Sequence, residues 1–136
     1  MNRKRIPNRL QLGPVVGHTD HESVRVWIQV YDNPAFYTLR IQGFGAVEFV
    51  STETSFIEFG TAIATVKGLR PDRVYRYQVI RRGRFVARAK GRFRTMPEPT
   101  SMTGIHFCAI SCNTLERDGI WPRFEQYIKD AQPHFL

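Results

Sequence analysis

The stretch from Ser23 to Tyr31 constrains the fold more than any other part of the chain. Val24, Val26, Ile28 and Val30 occupy every second position, with Arg25, Trp27, Gln29 and Tyr31 between them. A period of two is the repeat of a β-strand with two unlike faces, and β-branched side chains pack well on a pleated surface. Comparable segments run from residue 12 to residue 94, with turn signals roughly every eight to twelve residues, the spacing of an all-β sandwich or barrel. A first strand is expected around Gly13 to His18, followed by a polar turn from Thr19 to Ser23. Tyr37, Leu39 and Ile41 mark a third strand with Thr38, Arg40 and Gln42 on its other face. Gly43 to Gly45 breaks that strand. Ala46 to Val50 and Phe56 to Phe59 supply two more short segments, and Thr61 to Lys67 a further strand ending at Gly68.

Leu69, Pro71, Tyr75 and Tyr77 come next, in the run from Leu69 to Tyr77. A leucine placed there plugs one end of a sandwich, and Tyr75 can turn its hydroxyl back onto the chain upstream, which is the tyrosine-corner device. The arrangement resembles the corner between the fifth and sixth strands of fibronectin type III domains.

The closing strand runs from about Phe85 to Arg94. Phe85, Ala87, Ala89, Gly91 and Phe93 are expected on one side, and Arg88, Lys90, Arg92 and Arg94 on the other. These four cations are the candidate anion-binding residues. The chain has 136 residues, with 20 Lys and Arg against 12 Asp and Glu and a net charge of +8. Most of that excess lies between Arg70 and Arg94, where Asp72 is the sole acid, so the basicity belongs to the sandwich. A basic stripe suits nucleic acid, an anionic lipid or an acidic partner. It equally serves as a solvated edge that resists aggregation, and it lacks the interleaved aromatics that stacking on single strands requires. Any nucleic-acid binding would weaken steeply with salt.

Met96 to Gly104 is a linker by composition. Beyond it, Ile105 to Ile110 is nearly all apolar, as in a strand buried on both faces of a parallel sheet. A polar loop from Ser111 to Gly119 follows. Trp121, Phe124, Ile128 and Ala131 then give one apolar helix face, with Pro122 in the first turn and Glu125 and Lys129 four apart on the exposed side. Gln132 and Pro133 stop the helix, and Phe135 and Leu136 read as the start of another buried strand. A strand, a helix and the beginning of a second strand form the opening of a βαβ unit, which buries its faces only within a larger sheet. The expected organisation is a sandwich over residues 1–97, a linker over 98–103 and an incomplete α/β domain over 104–136. The alternative is that residues 105–136 fold back to complete the sandwich core.

The order of these features resembles the alkaline phosphatase D, or PhoD-like, metallophosphatases. The resemblance rests on Gly13-Pro14-Val15-Val16-Gly17-His18-Thr19, on Ser23-Val24-Arg25-Val26-Trp27, on Phe93-Arg94-Thr95-Met96-Pro97 and on Ser111-Cys112-Asn113 after a buried strand. It implies a mainly β chain: a fibronectin type III or Ig-like β-sandwich followed by the first strand and helix of an α/β metallophosphatase domain. It further implies metal-dependent hydrolysis of a phosphoester substrate by an iron and calcium site, with Cys112 as the iron thiolate. A metal deprotonates such a thiol outright. The family's remaining ligands would lie in a Gly-Asp motif just after the second strand and in further Asp, Asn and His residues downstream, none of which this sequence contains, so these 136 residues alone are expected to be inactive. Ile110 stands where members commonly have Gly, and the family's twin-arginine export signal is missing.

From residue chemistry alone, Cys108 reads as core packing, His106 as a half-buried strand residue, and His18 and His21 as turn residues. A zinc site of His106, Cys108, Cys112 and His134 matches no standard finger spacing. Two cysteines are too few for a disulfide framework. With no signal peptide and no apolar run of transmembrane length, the expected location is cytoplasmic, away from membranes. The rival to the hydrolase reading is a free-standing basic sandwich that binds an anionic partner, nucleic acid or acidic protein.

Overall fold

The computed structural model describes residues 10–52, 60–109 and 119–134. It is mainly β. The strands are β1 (Leu10–Thr19), β2 (Ser23–Val30), β3 (Tyr37–Ile41), β4 (Gly45–Glu48), β5 (Val50–Ser51), β6 (Gly60–Lys67), β7 (Val74–Arg81) and β8 (Arg84–Arg94). One helix, α1 (Ile120–Ala131), follows them among the described residues. The strands form two antiparallel sheets, ordered β1-β2-β6-β5 and β4-β3-β7-β8. A single core cluster draws on both, so they pack as a sandwich.

The alternation at β2 works as its pattern predicts: Val24, Val26, Ile28 and Val30 are fully buried. They meet Ala62, Ala64 and Val66 of β6, which pairs with β2 in unbroken register from Ser23↔Lys67 to Val30↔Gly60. Tyr37, Leu39 and Ile41 of β3 are equally buried from the opposite sheet. The turn between β1 and β2 is closed by Asp20, whose carboxylate accepts the amides of Glu22 and Ser23 and the Ser23 hydroxyl. That hydroxyl, with the two amides, holds the Asp20 carboxyl below its ordinary range.

The segment expected from Ala46 to Val50 divides in two. Phe49 turns inward at 4% exposure, and the chain changes sheets there: β4 pairs with β3, while β5 pairs with β6. Phe56 to Phe59 lies outside the described residues.

At the other end of the sandwich, Asp32, in the connection from β2 to β3, binds side chains of both β3 and β7. It accepts from the Tyr37 hydroxyl at 2.7 Å and from Arg81 Nε at 2.8 Å. Burial, reinforced by the Asp32 carboxylate, pushes the Tyr37 phenol up to about 12. The same carboxylate raises the Arg81 guanidinium above its ordinary value.

The helix forms where its apolar spacing places it and ends at Gln132, which adopts a left-handed conformation (φ 46°). Lys129 and Glu125 pair across one turn at 2.6 Å. Three expectations for this region are corrected. Ile105 and Phe107 are 54% and 64% exposed, and residues 105–109 hold only an isolated bridge at Phe107, so this part is no buried strand. Cys108 is half-buried, outside the core, and His106 is exposed. Among the described residues, the core cluster takes nothing beyond Phe93. Contact with the sandwich is local. His134 packs near Asp72, Nε2 to Oδ1 at 3.5 Å, while its backbone amide donates to the His106 carbonyl.

Candidate functional site: the basic face

The cations expected along β8 are placed by its pairing with β7. Lys90 stands opposite Gln78 and Arg92 opposite Arg76, while Arg94 stands opposite Val74. Gln78 in turn faces Arg40 of β3. Because Tyr77, Val79 and Phe93 point into the core, the alternate positions project outward, and Arg40, Arg76, Lys90 and Arg92 are all exposed. The result is a two-dimensional basic face on the second sheet rather than one stripe. Arg40 and Arg76 are the members missing from the expected set, although the alternation that places Arg40 outside is plain in the sequence.

Two of the four expected cations have different surroundings. Arg94 is neutralised, with Nε and Nη2 on Asp72 Oδ1 at 2.8 and 2.6 Å. Arg88 lies in a bulge, with φ 62°, in a region that is uncommon for side chains larger than glycine. The bulge falls between the pairs Gln78↔Lys90 and Ile80↔Phe85. It reverses the alternation, so Phe85 shares the outward face with Lys90 and Val86 takes its place in the core. Gln78 Nε2 donates to the carbonyls of Val79, Val86 and Ala89 at 2.8 to 3.0 Å, stitching the bulge to β7.

Arg76 and Arg92 sit directly across from each other. Like charges in that relation are destabilising, and no described carboxylate pairs with either. An anion laid across β7 and β8 would relieve that repulsion.

The corner beneath this face is built as the sequence suggests. Leu69 is 5% exposed, closing the core, and the Tyr75 hydroxyl accepts the Arg70 amide at 2.8 Å. Thr95, which no local pattern marks as a clamp, is fully buried. Its hydroxyl accepts the Arg73 amide at 2.9 Å and donates to the Arg70 carbonyl at 2.7 Å, tying the corner to the end of β8.

Beside β8, a cavity of about 240 Å³ opens between β1 and the end of α1, lined by Val16, Arg92, Arg94, Ile128 and His134. His134 Nδ1 accepts the His106 amide at 3.1 Å, which leaves the proton of a neutral ring on the buried Nε2, facing Asp72. Among the described residues no group of three or more His, Cys, Asp or Glu side chains is placed to hold a metal ion. Cys112 lies outside the described residues, so the structure gives no geometry for that candidate ligand or for the zinc set that includes it. No described helix is long and apolar enough to cross a membrane.

No curated protein matches the chain. Residues 7–101, which contain all eight described strands, match a family described as a domain of unknown function, DUF7800, and the chain belongs to that family.

Proposed function

We propose that this chain is the N-terminal part of a PhoD-like metal-dependent phosphoester hydrolase, with a fibronectin type III-like sandwich as a non-catalytic domain and residues 104–136 as the opening of the catalytic one. The observation that carries this reading is the unburied apolar surface of the C-terminal segment. Ile105, Phe107, Ile120, Trp121 and Tyr127 are 41% to 64% exposed, and no residue of α1 is buried. An amphipathic helix gains its stability from covering such a face. The sandwich does not cover it, whereas further strands of an α/β domain would. The tyrosine corner and the Phe93 to Pro97 segment support the sandwich half of the reading.

In this proposal Cys112 holds iron as its thiolate, beside calcium bound through residues outside this sequence. Such metals supply an activated water and charge stabilisation for attack at phosphorus. The test is to sequence the transcript past Leu136 and assay the protein it encodes on a phosphodiester. A Gly-Asp-bearing continuation, with hydrolysis abolished by Cys112→Ala while the sandwich stays folded, sustains the reading. No such continuation, or full activity in Cys112→Ala, overturns it.

One observation favours a second reading, a basic module for an anionic partner, either nucleic acid or acidic protein: the opposed Arg76 and Arg92 on an exposed face. Binding of a labelled oligonucleotide should fall linearly with salt on logarithmic axes, and Arg76→Gln with Arg92→Gln should flatten the slope by about two. An unchanged slope in that variant removes the basic face from the account.

A further inference from the structure

Three arginines outside the expected stripe converge on one opening. Arg70, Arg73 and Arg76 line a cavity of about 620 Å³ at the corner end of the second sheet, together with Gln42, Gly43 and Phe44. All three arginines are exposed, and no described carboxylate pairs with any of them. The acid nearest in sequence, Asp72, does not line the opening; it holds Arg94 and faces His134. The opening therefore concentrates positive charge that its own loop does not neutralise.

The walls are fixed before any ligand arrives. The Arg70 amide is held by the Tyr75 hydroxyl, and the Arg73 amide by the buried Thr95 hydroxyl. The Arg76 carbonyl accepts the Gln42 amide at 2.9 Å, joining β7 to the turn that carries Phe44. That turn has Gly43 at φ 77° and Gly45 at φ 140°, and it leaves the Phe44 ring 43% exposed on the rim. Guanidinium groups match the planar, two-point geometry of phosphate oxygens, and an anchored backbone reduces the ordering cost of binding. An exposed aromatic ring beside such a cluster offers a stacking platform to any nucleobase.

We infer that this cleft binds a nucleoside polyphosphate, its phosphate chain held by Arg70, Arg73 and Arg76 and its base laid on Phe44. The cavity falls within the usual size range for small-ligand sites, roughly 300 to 1,000 Å³. The site is separate from the hydrolase reading, and its test needs no catalysis.

The experiment is calorimetric titration of the 136-residue chain with ATP and with pyrophosphate, in chelator and near-physiological salt. ATP should bind more tightly than pyrophosphate by about tenfold, the contribution of one stacked base. Phe44→Ala should bring ATP down to the pyrophosphate level. Arg70→Gln with Arg73→Gln should weaken both ligands at least about tenfold, as expected for lost charge-assisted hydrogen bonds. Arg25→Gln with Arg84→Gln makes the same change in net charge at exposed positions on β2 and at the β7–β8 hairpin, away from the cleft, and should leave both affinities within about twofold, because exposed charges beyond a Debye length are largely screened. Matching thermal midpoints show that both double variants are folded. Equal losses in the two double variants would reduce the site to a general electrostatic field and overturn the proposal. So would absence of ATP binding, or a Phe44→Ala variant that keeps its preference for ATP.

Discussion

Gly91 shows how one residue can matter for what it lacks. A Cβ there would lie 2.6 Å from the Tyr77 hydroxyl and 2.8 Å from its ring carbon, because the two residues are cross-strand partners on the inner face. Gly91→Ala should destabilise the protein by about 1 to 3 kcal/mol, the usual cost of overpacking a core. At Gly17 the nearest atom to an added Cβ is 3.4 Å away, so Gly17→Ala should be close to neutral in the same denaturant titration. Equal midpoints for the two variants would show that Tyr77 yields freely. Tyr37 gives the pH counterpart. Its folded phenol is pushed up to about 12, whereas a tyrosine in the unfolded chain titrates near 10. The folded state thus favours the protonated ring, and this contribution is complete below about pH 10 and lost as the pH rises towards 12. Tyr37→Phe should remove that part of the alkaline decline, read as denaturation midpoints across the interval. The alternation placed Tyr37 in the core, but its link to Asp32 and Arg81 spans 49 residues and follows from tertiary pairing that no local pattern carries.

Among the elements, the tyrosine corner and β8 differ in how far they could be read in advance. The corner was legible because its parts are close in sequence: Leu69, Pro71 and Tyr75 define both the plug and the hydroxyl that returns to Arg70. Thr95 was not, since it acts on Arg70 and Arg73 from more than twenty residues away. Thr95→Val keeps the shape but leaves the Arg73 amide and the Arg70 carbonyl without that hydroxyl. It should cost about 1 to 3 kcal/mol, more than Tyr75→Phe, which gives up one exposed bond worth about 1 kcal/mol. The opposite ranking by chemical denaturation would place the clamp at Tyr75 instead. For β8, simple alternation put Phe85 in the core, and the bulge around Arg88 reversed it. Nothing local announces the bulge, because Arg88 carries the positive φ where glycine would have signalled it. Arg88→Gly should therefore be neutral or slightly stabilising, as relief of the left-handed strain offsets the added chain entropy of glycine. A loss above about 1 kcal/mol would mean that the Arg88 side chain holds the bulge together.

The molecule as a whole divides into a sandwich with one shared core and a C-terminal segment that leans on it through His134. The sandwich was readable from its periodicity, which is local. The surroundings of Ile105 to Ala109 were not, because an apolar run does not reveal what will cover it. The central claim is that, among the described residues, 104–109 and 119–134 rest beside the sandwich rather than within its core cluster, as the proposed second domain requires. Native-state amide hydrogen exchange measures this most directly, since it gives an opening free energy for each segment. The prediction is that amides of β2, β3, β6 and β7 exchange only through global unfolding, while those of α1 exchange through a local opening that costs far less. Protection of α1 equal to that of β2 would contradict the account and make the whole chain one cooperative module.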